Sequence, residues 1–468
     1  MAGAERGLRK KHPEKTVSHH LQPNGRIPQS FRNVQSRNNM ILNVLLSGRV
    51  AGKLETDTFG NPRFSYSPEW QEAADAYPVS LSLPLLQPRI EHGKVSSVLW
   101  GLLPDNEALL QRWGTHFHVS PRNPVALLSH VGEDCAGAVQ FVSDDRLADV
   151  LGGADDGVVD LTDQEVEARL AGLRQTHGVG RLTDDVGHFS LAGAQSKIAL
   201  MRRPGGSWAI PTGRIPTTHI LKPPSGEYDG FVENEIFCLR LARSLGMSAA
   251  HVEKIKVGAE AAICVERYDR EYAGTAWHRL HQEDFCQALS VMPHLKYQNQ
   301  GGPGPADLAD VLWQHSSQPH ADVEALMKAL IFNYLIGGTD AHAKNYSVLF
   351  GAGGNVRLAP LYDISSAFPY PSLQKRKIKM AMKIGSHYRW WDIRLEDWQA
   401  TASSMRLDKV DVLYRLAEMA TELPAAASEL HALFKEEGIG HPVLDRLVEE
   451  IHASCARLMN KFQTRSRN

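Results

Sequence analysis

Asp340, Asn345 and Asp363 are the residues of this chain whose types and spacing could do chemistry. They lie in Gly338-Thr339-Asp340-Ala341-His342-Ala343-Lys344-Asn345 and in Leu361-Tyr362-Asp363. Phosphoryl transfer is chiefly positioning and charge neutralisation, so its site needs a carboxylate to receive a hydroxyl proton and hard oxygen donors to hold magnesium against phosphates. Asp340 suits the first task, and Asn345 with Asp363 the second. The same residues could merely cap a helix and a hairpin, so the flanking elements decide the reading.

Those elements are legible. Val323, Leu326, Met327, Leu330, Ile331, Tyr334 and Leu335 recur at helical spacing and run into Gly337-Gly338, which predicts a buried helix ending where the polar loop begins. Tyr346 to Phe350 reads as a strand, Gly351 to Asn355 as a turn, and Val356 to Leu361 as the returning strand. This hairpin would bring Asp363 back beside Asn345.

Upstream, Phe189-Ser190-Leu191-Ala192-Gly193-Ala194-Gln195-Ser196-Lys197 is a small-residue loop leading into the strand Ile198 to Met201. Such loops offer backbone N–H groups to phosphates, although this one is neither a Walker A loop nor a three-glycine loop, and an ordinary tight turn has a similar composition. Thr217 to Lys222 alternates as a strand ending in lysine, and Glu233-Asn234-Glu235 opens a helix that Gly246 ends. A strand lysine paired with a helix glutamate can hold phosphates; two solvated charges are the plainer alternative. His251 to Val257 and Ala261 to Glu266 form a second hairpin, leading into Glu266-Arg267-Tyr268-Asp269-Arg270 as a hinge.

The whole chain, at 468 residues with 43% hydrophobic and 22% charged, is globular in composition, with room for about two or three domains. A net charge of -2 makes no global case for nucleic-acid or membrane binding. The five cysteines are odd in number and lack CxxC spacing, which predicts reduced structural thiols and a cytoplasmic location. No run approaches the roughly 20 apolar residues of a membrane span. Residues 1–39 are basic and polar and are expected to be disordered, a nucleic-acid-binding arm being the sharper alternative. Met40 opens a β-rich module (Ile41 to Leu46, Val50 to Leu54, Pro62 to Tyr66) reaching about residue 145. Asp144 to Gly180 is Gly/Asp-rich and reads as a boundary containing a helix from Thr162 to Arg174. Beyond about residue 283 the chain is mostly helical. Its histidines lack convergent metal spacing, and Arg389-Trp390-Trp391 reads as packing.

Taken in order, these segments resemble the HipA family of serine/threonine kinases, the toxins of bacterial HipBA-type toxin–antitoxin pairs. The resemblance runs from about Met40 to the C-terminus and is most specific in Ser190 to Gln195, Glu266 to Arg270, Leu280 to Phe285, Thr339 to Asn345 and Leu358 to Asp363. It implies an α+β, two-lobed protein-kinase-like fold with an extra N-terminal β-rich subdomain and a mostly helical C-terminal lobe. The expected divisions are a tail (1–39), the β-rich subdomain (40–145), a nucleotide-binding N-lobe region (146–282) and a helical lobe with the catalytic loop (283–468).

The same resemblance implies ATP and Mg²⁺ as cofactors. Asp340 would be the catalytic base, Asn345 and Asp363 the magnesium ligands, and Lys222 the phosphate-holding lysine, with Glu235 rather than Glu233 as its partner. Ala192, Gly193, Ala194, Gln195, Ser196 and Lys197 would cover the phosphates, and Glu266, Arg267 and Tyr268 would meet the adenine through the backbone. His342, Lys344 and Tyr362 complete the cofactor-binding set, His342 by orienting the catalytic loop. Ser190 matches the family's autophosphorylated serine; a phosphate there adds about -1.5 to -2 charge beside a loop meant for ATP phosphates and would eject it. Ser196 departs from members carrying Glu at that position and leaves open which serine is modified. A HipB-like helix-turn-helix antitoxin, operator DNA bound only through that complex, and an aminoacyl-tRNA synthetase as protein substrate rest on the resemblance alone. Two alternatives compete: a small-molecule phosphotransferase of aminoglycoside or choline type, which shares Asp-x-His-x-x-Asn, and a degenerate kinase serving as an antitoxin-binding scaffold.

Overall fold

Ile41–Leu46 is buried along nearly its whole length because it is an inner strand. In the computed structural model, which describes residues 40–465 apart from 88–89, 176–188, 194, 225 and 227, it lies in a four-stranded antiparallel sheet. The order is Pro62–Tyr66, Arg49–Thr56, Ile41–Leu46, Val139–Val142. The expectations for the tail and for Ala194 fall outside the described residues. Leu42, Val44 and Leu46 enter the main core, whereas Leu45 meets Val142 and Val150 on the opposite face. This region is less purely β than its strands suggested. It also holds the helices Pro68–Gln71, His92–Leu102, Glu107–His116 and Pro124–Val131. Asn106 and Asn123 begin two of them by accepting from Leu109 N and Ala126 N, the usual task of an N-cap asparagine.

A six-stranded antiparallel sheet forms the smaller lobe, in the order Gly157–Leu161, Trp208–Thr212, Ile198–Arg202, His219–Lys222, Glu260–Glu266, Val252–Val257. Its first strand comes from the stretch expected to be a boundary. That stretch is folded through residue 175: the helix Asp144–Gly152 ends on Gly153 at φ +72°, Asp156 accepts from Arg214 N at 2.7 Å, and the helix Asp163–Gln175 follows. The Gly/Asp richness marks a helix end and a tight turn. Val166, Leu170 and Leu173 of the last helix pack with Leu200, Trp208 and Cys264 in a core that also takes in Phe189 and Leu191.

The helix Phe231–Ser244 instead belongs to the main core. Phe237 meets the Phe434 ring edge-on at 5.3 Å, and Arg240 pairs with Glu437 at 2.6 Å. Pro319–Ile336 is the buried helix expected before the polar loop, ending on Gly337 at φ +70°, where a Cβ would press into the Phe368 ring. Past the loop, Ser347–Phe350 pairs with both Val356–Leu358 and His281–Asp284. The returning strand stops at Leu358 because the chain then crosses to the neck between lobes: Leu361 N donates to Ser248 O and Ala250 N to Leu361 O. All five cysteines are buried and free. Among the described residues, no helix is long and apolar enough to cross a membrane.

Candidate active site

Lys222 ends its strand in the interior, 6% exposed, and its ammonium reaches both sides of a cleft of about 780 Å³. Nζ donates to Glu235 Oε1 at 2.8 Å and to Asp363 Oδ1 at 3.0 Å. Glu235 stands in the first part of the helix Phe231–Ser244, whereas Glu233 pairs with Lys254. Burial opposes the charge on Lys222, but Asp363 and Glu235 outweigh it and raise its pKa. The Lys222 ammonium in turn holds Asp363 well below the usual carboxylate range, while burial pushes Glu235 up. Asp363 sits at φ +56°, a left-handed backbone that few non-glycine residues adopt.

Asp340 opens onto the same cleft from the loop after the buried helix. Its backbone oxygen accepts from His342 N at 2.8 Å and from Asn345 Nδ2 at 3.0 Å, which fixes the loop's curvature. Its carboxylate Oδ1 accepts from Tyr297 OH at 2.6 Å. The crowded walls raise the Asp340 pKa; the Tyr297 hydrogen bond opposes that shift, and Asp363 adds to it. His342 stacks edge-on to Tyr297 at 5.0 Å, and burial lowers its pKa to about 4, so it is neutral at pH 7. Asn345 has spent its amide N–H on Asp340. Its Oδ1 and Asp363 Oδ2 carry no hydrogen bond among the described residues, and both residues line the cleft. Two such oxygens suit a magnesium ion, which takes few protein ligands and fills its shell with water and phosphates.

Tyr297→Phe is expected to raise the Asp340 pKa further, because it deletes the bond that favours the charged carboxylate. With Asp340 as the base proposed below, it must be deprotonated to act, so the acidic limb of the kcat–pH profile should move to higher pH. An unmoved limb would show that Tyr297 does not tune Asp340.

The loop from Phe189 to Lys197 is pinned on both flanks. Ser190 is fully buried, its Oγ donating to Leu102 O at 2.8 Å and its N–H to Asp134 O at 3.0 Å. Gly193, at φ +106°, accepts from Asp105 N at 3.2 Å, and Lys197 Nζ folds back to Ala192 O at 2.5 Å. Burial and the nearby Lys222 lower the Lys197 pKa to about 8. Gln195 and Ser196 line the cleft, and Gln195 Nε2 is a buried donor without an acceptor among the described residues.

Sequence reasoning missed Asp105, Lys296 and Tyr297. Asp105 accepts from Lys344 at 2.6 Å and from Lys296 at 3.0 Å, tying the N-terminal region to the loop that follows the helix Pro319–Ile336. No motif could have signalled this, since Asp105 and Lys344 stand 239 positions apart.

At the neck, Tyr268 and Tyr362 rings lie 5.9 Å apart; Tyr362 OH donates to Lys344 O at 2.7 Å, and Tyr268 OH to Gln282. Glu266 is exposed at the cleft. Arg267 also lines the cleft. Its N–H donates to Thr218 O, its carbonyl accepts from Arg270 N, and its guanidinium is buried against Asp269, so its backbone and side chain are already engaged in holding the neck.

A two-lobed α+β fold of protein-kinase type, with charged and polar side chains converging on the cleft, is the class to which these features belong. The family model described as HipA N-terminal domain matches residues 42–142, and that described as HipA-like C-terminal domain matches residues 189–427. The chain is 38% identical to a putative kinase, Y4mE, of Sinorhizobium fredii, over 77% of this chain and 85% of that protein. It is 29% identical to the serine/threonine-protein kinase toxin HipA of Shewanella oneidensis, over 84% and 88%. The solved Shewanella oneidensis complex of HipA, HipB and operator DNA superimposes with a TM-score of 0.76 at 26% identity, covering 90% of this chain and 97% of that one. The chain belongs to the HipA family of serine/threonine kinases.

Proposed function

We propose that this protein transfers the γ-phosphoryl group of ATP to a serine or threonine hydroxyl of another protein, and that its own Ser190 is the autophosphorylation site that shuts it off. The observation that carries the reading is the Lys222 ammonium bridging Glu235 and Asp363 across the cleft that also receives Asp340. In this reading Asp340 accepts the proton of the attacking hydroxyl, its loop held by the Asn345 amide and its carboxylate by Tyr297. Lys222 steadies the α- and β-phosphates, and Asp363 and Asn345 would hold Mg²⁺, which supplies charge neutralisation on the phosphates. The backbone from Ala192 to Lys197 covers the phosphates. Gln195 gains an acceptor there, and Lys197 exchanges its bond to Ala192 for a phosphate oxygen. Glu266 and Tyr268 meet the base beside Tyr362, and Lys344 shapes the loop through Asp105. Likeness to the HipA–HipB–DNA complex supports a HipB-like antitoxin as partner, with operator DNA reached through it. A translation protein such as an aminoacyl-tRNA synthetase is the substrate class that family membership suggests.

Intact-mass measurement after incubation with ATP and Mg²⁺ tests this. Wild-type protein should gain one phosphate, mapped to Ser190, and Asp340→Asn none. Ser190→Ala should lose that site while still labelling a protein substrate. Unphosphorylated wild type that binds ATP and gains nothing would remove the autoregulatory half of the proposal; a phosphate mapped to Ser196 would move the switch.

A further inference from the structure

Between Ile364 and Trp391 the chain carries six Lys or Arg residues and no acidic one, in a protein whose net charge is only -2. Lys375 pairs with Glu450, and Arg389 with Asp392 at 3.4 Å. Arg376, Lys377, Lys379 and Lys383 have no carboxylate partner among the described residues, and the first three are exposed. These cations have a definite place relative to the cleft. Leu373 lines it, and Arg376 follows within about 11 Å of chain. The strand Lys379–Ile384 then runs beside the catalytic loop, Ala381 N donating to Thr339 O at 3.0 Å, one residue before Asp340. Lys383 N donates to Gln298 Oε1 at 2.7 Å, next to the tyrosine that holds the Asp340 carboxylate.

We propose that this basic rim docks an acidic polypeptide segment flanking the acceptor serine or threonine, and so selects substrates. The inference rests on the kinase reading above and adds the chemistry of the substrate. Charge complementarity at an exposed rim raises association rates and excludes wrong partners at modest gain in affinity, which suits a substrate that must leave. A polypeptide is favoured over nucleic acid because base stacking needs free aromatic faces. Trp390 is 1% exposed in the core, and Trp391 is already covered by Arg457 at 3.8 Å and by Arg376 at 5.0 Å.

The test is fluorescence anisotropy with the full chain and three labelled probes: a serine peptide flanked by glutamates, the same peptide flanked by alanines, and a single-stranded RNA of equal charge. Wild type should bind the acidic peptide at least tenfold more tightly than the alanine peptide, and more tightly than the RNA. The triple variant R376E/K377E/K379E should lose that preference, and R376Q/K377Q/K379Q should fall between; matching thermal melts exclude misfolding. Equal binding of acidic and neutral peptides, preference for RNA, or an unaffected triple variant would overturn the proposal. Phosphoryl transfer into the bound peptide is read separately. Its absence with docking intact would count against the kinase reading and leave the docking surface standing.

Discussion

Asp340→Asn should bind ATP as wild type does and turn over about 10²–10⁴-fold more slowly, the contribution usual for a positioned general base. The substitution is nearly isosteric, and Asp340 is solvent-exposed at the cleft, so folding should survive. Tyr297 OH can still donate to the asparagine oxygen, and the backbone bonds from His342 and Asn345 are untouched. What disappears is the capacity to take a proton. Single-turnover transfer alongside calorimetric ATP binding separates the two effects. A variant that transfers phosphate at the wild-type rate would show that Asp340 does not act as the base, and a variant that no longer binds ATP would show a structural role.

The second large effect concerns stability. Asp134→Ala is expected to cost about 3–5 kcal/mol, the range for removing one partner from a buried charge network. Asp134 Oδ1 accepts from Arg270 at 2.8 Å and Arg279 at 3.2 Å, and Oδ2 from Thr217 Oγ1 at 2.6 Å; Arg267 stands 3.5 Å away. Its removal leaves three guanidinium groups short of an anion at the neck between lobes. Burial opposes the Asp134 charge, but Arg270, Arg267 and Arg279 outweigh it and hold its pKa far below the usual value. A carboxylate depressed on folding stabilises the protein above its unfolded pKa, near 4, and that contribution fades as pH falls toward the folded value. Urea midpoints of wild type and variant should therefore differ widely at pH 7 and converge on acidification. Equal midpoints at pH 7 would mean that the arginines find other partners.

What sequence made legible were residues riding on periodic elements. Lys222 ends an alternating strand, Glu235 starts an amphipathic helix, and Asp340 follows the glycine-ended helix Pro319–Ile336, so their order along the chain already implied convergence. Asp105, Lys296, Tyr297 and Asp134 stayed hidden because their partners are reached only through the tertiary fold, across loops with no hydrophobic period. The helix Asp144–Gly152 was missed for a different reason. It buries only Val150, while its acidic start and glycine end mimic a linker. Arg267, singled out by its place in a motif, lines the cleft and also joins an ion-pair network of which the sequence carried no sign.

The buried hydroxyl of Ser190 makes the proposed switch a clock. Its reactive oxygen is wholly shielded, with Phe189 and Leu191 sunk in the small-lobe core on either side. The proposed modification would have to wait for the segment to come out, so its rate would scale with the small fraction of molecules open at any moment. Each 1.4 kcal/mol of packing around Phe189 and Leu191 would lengthen the working life of the active enzyme about tenfold. Trimming Phe189, which is not part of the cleft lining, would shorten that life. If Ser190 is the switch proposed above, the duration of activity would be written into hydrophobic contacts, where mutation could lengthen or shorten it while the chemistry of transfer stays the same.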